Sequence, residues 1–273
     1  MSVTNGWGQW ENTIDWGKGK TTATNNWGKI YDSSASGDTS LGTAAAFSNT
    51  KSILLDGVDD YVDMGDVLDF ERTSAFSISC WFKRTRSSVS EFLIAKQESS
   101  GNARGYTILI PSDDNKITFV LRNNTASSGR IIADSSSAIT DTNWHHVVVT
   151  YDGSSATSGI TIYLDGSDNT GAVTGTLSAT TLNSIAFQIG ARNGGNEFSG
   201  HIDEVSVFNT ELTSSNVTSI YNSGVPNDIS SLSPVSWWRC GDGDTSPTLT
   251  DNGSASNNGT MTNFTAFSTD VPT

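Results

Sequence analysis

Three times in this chain a strand-like apolar run ends at Asp-Gly. Residues 52–55 run into Asp56-Gly57, residues 144–151 into Asp152-Gly153, and residues 160–164 into Asp165-Gly166. Asp-Gly between apolar runs is a strong short-range signal for a tight turn or hairpin. Further runs of this kind lie at 61–64, 76–82, 91–95, 106–110, 117–121, 186–190 and 201–208. Strands recurring about every ten residues, with no sustained helical period, predict an all-β sandwich. One helix is expected at 213–221, with Thr213 as its N-cap and Gly224 as its stop.

Composition agrees with many short strands joined by polar turns. Only 35% of the 273 residues are hydrophobic and 16% are charged. The formal net charge of −14 argues against nucleic acid, whose phosphates call for a basic stripe. It also disfavours anionic membrane surfaces. No run of about 18 apolar residues exists to cross a membrane as a helix. The start, Met1-Ser2-Val3-Thr4-Asn5-Gly6-Trp7, has neither the basic nor the apolar part of a secretory signal, so assembly in a cytosol is expected. The two cysteines, Cys80 and Cys240, form no disulfide framework. Buried free thiols are the expectation, with one cross-strand bridge as the alternative.

Three zones separate. Residues 1–50 form an arm and linker with a loose repeat: Asn5-Gly6-Trp7-Gly8, Asp15-Trp16-Gly17-Lys18 and Asn26-Trp27-Gly28-Lys29. Trp7, Trp10, Trp16 and Trp27 have few aliphatic neighbours, so they pack back on the main domain or anchor an assembly interface. Residues 51–224 hold the regular strands. Residues 225–273 return to strand and turn through Ser236-Trp237-Trp238-Arg239-Cys240 and the acidic turn Gly241-Asp242-Gly243-Asp244. This tail either completes the sandwich or pairs with the arm.

Five segments then line up in order with one pattern. Leu55-Asp56-Gly57-Val58-Asp59-Asp60-Tyr61-Val62 resembles the opening strand and turn of laminin-G-like, concanavalin A-like jelly rolls. Phe76 to Lys83, Asn143 to Gly153 and Ile162 to Gly166 are similar to their next strands. Phe198-Ser199-Gly200-His201-Ile202-Asp203-Glu204-Val205, with Asn209 and Leu212, is similar to their closing signature. The resemblance covers 51–224 and implies a jelly-roll β-sandwich with Trp/Gly-rich extensions at both ends. The Trp-Gly repeats before it, and the Trp-Trp-Arg-Cys-Gly-Asp-Gly-Asp segment after it, resemble virion structural proteins of tailed bacteriophages. That implies a fibre, decoration or adhesion component, held by other virion proteins or by copies of itself through its extensions. Its location would be the virion and its ligand a surface glycan. A freestanding bacterial carbohydrate-binding module is the alternative, and a glycan-degrading enzyme a third.

The resemblance also implies a structural Ca²⁺ near the closing strand. Asp203 is the side-chain candidate, with Asp56 and Gly57 of the upstream turn supplying a carboxylate and carbonyls. An acid in a strand needs such a partner, or backbone donors, or water. Asp59 and Asp60 are weaker candidates. Asp113-Asp114-Asn115 and Asp242 to Asp244 lack the spacing of an EF-hand loop. For ligand contact, Arg192, Asn193 and Asn196 occupy a polar loop before the closing strand, and Tyr106 lies near a loop. Trp81 and Trp144 read as core. Catalysis is not expected. Asp203 and Glu204 are neighbours that strict alternation sends to opposite faces, and glycoside hydrolysis needs two carboxylates flanking a cleft. His145, His146 and His201 show no Ser/Asp constellation.

Overall fold

In the computed structural model, residues 47–273 are described throughout except for 194. Within 1–46 the description covers three strands, β1 (Glu11–Asp15), β2 (Lys20–Thr24) and β3 (Ile30–Asp32). These pair in that order as an antiparallel sheet. Residues 1–46 and 47–273 are separate compact units. Trp7, Trp10, Trp16 and Trp27 lie outside the described residues.

The larger unit is a sandwich of two antiparallel sheets. One runs β14 (Thr170–Thr176), β10 (Arg130–Ala138), β9 (Lys116–Arg122), β8 (Gly105–Ile110), β7 (Glu91–Gln97), β15 (Gln188–Ile189), β5 (Tyr61–Asp63), β19 (Gly259–Thr262), β18 (Thr248–Leu249). The other runs β13 (Ser167–Asp168), β12 (Ile160–Leu164), β11 (His145–Tyr151), β6 (Phe76–Arg84), β16 (Ser199–Phe208), β4 (Ser52–Asp56), β20 (Phe267–Ser268), with β17 (Ser236–Trp238) also on β16. Alternation along each strand sends Ile78, Phe82, Ile108, Phe119, Leu121, Ile131, Val147, Val149, Ile202, Val205 and Val207 into one shared core. The expected jelly-roll β-sandwich is therefore what the strands build.

Residues 225–273 are part of this sandwich and not an appendage. β18 and β19 extend one sheet beside β5, while β17 and β20 join the other. Trp238 is fully buried, stacks on Phe187 at 5.5 Å and donates Nε1–H to Asn257 O. The sandwich also begins earlier than the expected linker allows, at Phe47. Cys80 and Cys240 are free and buried.

The helix α1 (Ser214–Tyr221) starts where expected. Thr213 accepts from Asn216 N–H while the Asn216 side chain accepts from Thr213 N–H. It stops earlier than Gly224, because Asn222 takes the left-handed conformation that caps the last turn. With Leu212, Val217 and Ile220 it covers a second apolar cluster on the outer face of the β6–β16 sheet, around Val148, Phe208 and Trp237. Among the described residues no helix is long and apolar enough to cross a membrane.

Candidate functional site

The sequence candidates fall in three places. The first is the closing strand. β16 carries a bulge between Asp203 and Ser206, where Glu204 has φ +47°. Strict alternation therefore fails, and both carboxylates leave the core between the core residues Ile202 and Val205. Both are buried beneath residues 47–51 and 236–242. Asp203 Oδ2 accepts from Asn49 Nδ2 (2.8 Å) and Oδ1 from Glu204 N–H (2.8 Å). Glu204 Oε2 accepts from Trp237 Nε1 (2.6 Å) and Oε1 from Arg239 Nε (3.3 Å). The Arg239 guanidinium lies 4.3 Å over the Phe47 ring and donates to Ser48 O. Burial, and then the charge of Glu204, raise the Asp203 carboxyl well above its usual range. Burial pushes Glu204 up to about 7 against the pull of Arg239 and Trp237.

The expected calcium set does not assemble here. The pairing Ser199↔Asp56 places Asp203 four residues further along β16, about 13 Å from the Asp56 level. Gly57 goes elsewhere too: its carbonyl accepts from Arg86 Nη1 (3.0 Å). Every oxygen of Asp203 and Glu204 already accepts a hydrogen bond, and the nearby cation is Arg239.

The second place is the β4–β5 turn. It brings one carboxylate oxygen each from Asp56, Asp59 and Asp60 within 4.8 Å of one another. Asp56 Oδ1 accepts from Val58 N–H, and Asp60 Oδ2 from Asp56 N–H. Burial, then the charges of Asp56 and Asp59, raise the Asp60 carboxyl. Three hard oxygen donors at this spacing suit Ca²⁺ better than the closing strand does.

The third place is the outer face of the β7–β10 sheet. Leu121 and Ile131 point into the core, so their neighbours Arg122 and Arg130 point out. Register places Gln97, Gly105, Arg122 and Arg130 in one row across four strands. The next row holds Ala95, Thr107, Val120 and Ile132, and the one beyond it Phe92, Leu109, Thr118 and Asp134. Gly105 in the first row admits no side chain: at φ +117°, a Cβ would lie 1.9 Å from Lys96 O and 2.5 Å from the Asn183 amide nitrogen, which donates to Lys96 O and Arg104 O.

Arg192 lies across this face. Its guanidinium sits 4.5 Å over the Phe92 ring, and Nη1 donates to Gln97 Oε1 (3.4 Å). The turn holding it closes by Arg192 N–H to Gly195 O, and Asn193 Nδ2 ties it to Ser99 Oγ (3.0 Å). Asn196 is exposed, and its carbonyl accepts from Phe92 N–H. The structure thus brings Arg192 and Asn193 onto the sheet and adds Gln97, Arg122 and Arg130, which sequence reading missed. Burial lowers the affinity of Arg122 for its proton, and the charges of Arg130 and Arg192 lower it further.

Other candidates are internal. Tyr106, expected near a loop, is buried and donates to Leu68 O. Trp81 is buried between His146 and Tyr221, while Trp144 is only half-buried and donates Nε1–H to Asp270. His146 Nε2 and Ser79 Oγ stand 2.8 Å apart, a pairing the sequence did not suggest. Both are fully buried, so no substrate reaches them, and burial pushes His146 down to about 3.

No protein of curated function matches the chain. Among solved structures, a protein of Bacteroides ovatus whose proposed role is carbohydrate binding superposes with a TM-score of 0.61 at 17% identity, over 93% of this chain and 69% of its own. A heptameric SAP-like pentraxin from Limulus polyphemus reaches a TM-score of 0.49 at 15% identity, over 63% of this chain and 82% of its own. A CBM40 module of a Ruminococcus gnavus sialidase reaches 0.47 at 15%, over 63% and 96%. The profile of the concanavalin A-like lectin/glucanases superfamily matches residues 56–218, and with the two-sheet sandwich built around them the chain belongs to that superfamily.

Proposed function

We propose that this chain is a non-enzymatic, glycan-binding component of a tailed-bacteriophage virion, a fibre, decoration or adhesion protein. The outer face of the β7–β10 sheet is its binding surface. The observation that carries the binding half is the strapping of Arg192 across Phe92 and Gln97, tied down by Asn193 to Ser99, which sets a half-buried polar donor beside the row that holds Arg122 and Arg130. Half-buried guanidiniums and amides of this kind meet sugar oxygens with hydrogen bonds. The virion half rests on the Trp-Gly repeats of residues 5–29. Trp237 and Trp238 are buried within the sandwich, so attachment to other virion proteins, or to further copies of the chain, falls to Trp7, Trp10, Trp16 and Trp27.

Affinity electrophoresis through neutral and acidic polysaccharides tests the binding, and mass spectrometry of purified particles tests the location. Retardation is expected, and so is the chain in particles, with Ala at the four arm tryptophans abolishing incorporation only. A retarded chain absent from particles would make it a freestanding carbohydrate-binding module. Release of reducing ends from a polysaccharide would make it an enzyme and sink the reading.

The calcium ion implied by the resemblance is assigned to Asp56, Asp59 and Asp60. There it would neutralise three carboxylates and stiffen the turn between β4 and β5.

A further inference from the structure

We infer that Arg122, Arg130 and Arg192 form an anion seat, so that the glycan bound on this face carries a carboxylate or a sulfate ester. The inference rests on the proposed glycan-binding face and names its ligand class. Arg122 and Arg130 are direct cross-strand partners on one face, an arrangement in which like charges repel. Arg192 reaches the same row through Gln97. Among the described residues no carboxylate pairs with any of the three, although the chain holds 29 acidic residues against 15 basic ones.

The nearby acids are committed elsewhere. Asp134 accepts from Thr118, Asp63 from Gly65 N–H and Gln188, and Glu98 pairs with Arg104. In a chain so rich in carboxylates, three gathered guanidiniums without one mark a place kept for an external anion. A second observation points the same way. Gln97 is 2% exposed, yet its Nε2 has no hydrogen-bond partner. It pairs in register with Gly105, whose other neighbour in the row is Arg122. A buried donor left unpaired is costly unless a ligand oxygen completes it. Guanidiniums offer paired N–H groups that match carboxylate and sulfate oxygens.

The net charge of −14 means the chain does not collect polyanions through its overall field, so any such binding is local. The test is titration of the full chain with polygalacturonate (carboxylate), dextran sulfate (sulfate ester) and dextran (neutral), at two salt concentrations. At least one charged polymer is expected to bind tenfold or more tightly than dextran, and to weaken with salt. The Arg122→Gln/Arg130→Gln and Arg192→Gln variants should each lose about tenfold or more for the charged polymer, as the loss of a charge-assisted bond predicts. Their melting temperatures should stay near wild type. Which polymer binds distinguishes carboxylate from sulfate.

Binding of dextran as strong as that of the charged polymers, unchanged in the variants, would overturn the anion seat and leave the glycan reading standing. Charged-polymer binding that survives in all the variants would place the anion elsewhere and also overturn it. Failure of all three polymers, and of the neutral and acidic polysaccharides used for electrophoresis, would overturn both.

Discussion

The two sheets each carry charge on an outer face, and they treat it in opposite ways. On the β6–β16 sheet, Asp203 and Glu204 are covered by residues 47–51 and 236–242, and every oxygen has a donor. On the β7–β10 sheet, Arg122 and Arg130 face each other half-buried, and among the described residues no carboxylate pairs with either. A charge closed in with its partners holds the fold together, because breaking the set strands the remainder. A charge left against its like does nothing for the fold and is available to a ligand. The same residue type therefore has a different meaning on each face. Arg239 ties the tail to the sandwich, and Arg122 awaits something from outside.

Removing one arginine from each face breaks or sharpens this contrast most directly. Arg239→Ala leaves Glu204 buried without its cation and strips the cover from Phe47 and Trp237. Loss of one partner of a buried pair costs about 3 kcal/mol or more, or on the order of 10 °C in melting temperature for a unit of this size. Arg122→Ala should shift melting by less than about 2 °C. Equal losses in differential scanning calorimetry would end the distinction between the faces.

The second effect is the pH dependence that the covered face contributes. Glu204 is raised in the folded state from the ordinary glutamate value to about 7, and Asp203 is raised as well. For carboxyls raised on folding, the stability is fully present below the unfolded value near 4.5 and is lost as pH rises through the folded value. The Glu204 contribution should thus fall between about pH 4.5 and 7, by on the order of 3 kcal/mol, against a rise up to about pH 6.5 from His146, which burial lowers. Asp203→Asn keeps the shape of the protonated acid. The Asn49 Oδ1 has no partner, and a flip of that amide lets it accept from the new side chain. Urea melts at pH 5 and pH 8 should show the fall diminished in this variant by the Asp203 share, with that of Glu204 remaining. An undiminished fall would assign it to other groups.

Part of this was legible in the sequence. The Asp-Gly turns and the alternating runs mark most strands, because half-buried strands must alternate. The bulge was missed: strict alternation was expected across Asp203 and Glu204, although Ile202 and Val205, three apart, both point into the core. β10 and β14 escaped notice: Asp134-Ser135-Ser136-Ser137 and Thr170-Gly171 read as loop, and pairing with a neighbour overrides that composition. The place of residues 225–273 was not legible, because β19 pairs with β5 some 200 residues away and no local pattern encodes that. Arg122 and Arg130 lie at opposite ends of an irregular connection. Without β10 there was no register to set them face to face.

Calcium gives the third effect, on a turn that belongs to neither charged face. Saturating Ca²⁺ bound at Asp56, Asp59 and Asp60 should stabilise the chain by about 3 kcal/mol at a hundred times its dissociation constant. EDTA should lower the melting temperature of the wild type and leave Asp59→Asn/Asp60→Asn unmoved. A response to EDTA that is lost in Asp203→Asn, and kept in the turn variant, would return the ion to the closing strand and make the covered face a metal site.

The smallest effect has the most informative sign. Arg130→Gln removes one of two like charges facing each other across β9 and β10. Relief of that repulsion is worth about 0.5 kcal/mol, which should raise the melting temperature by about 1–2 °C at low ionic strength. The gain should shrink as salt screens the pair. The same substitution is expected to weaken charged-glycan binding. A residue whose removal helps the fold and harms the ligand complex is held for the ligand, since repulsion tolerated in the free protein is relieved when an anion sits between the guanidiniums. If Arg130→Gln instead lowers the melting temperature at every salt concentration, the arginines are holding the sheet together, and the two faces differ only in which partners they use.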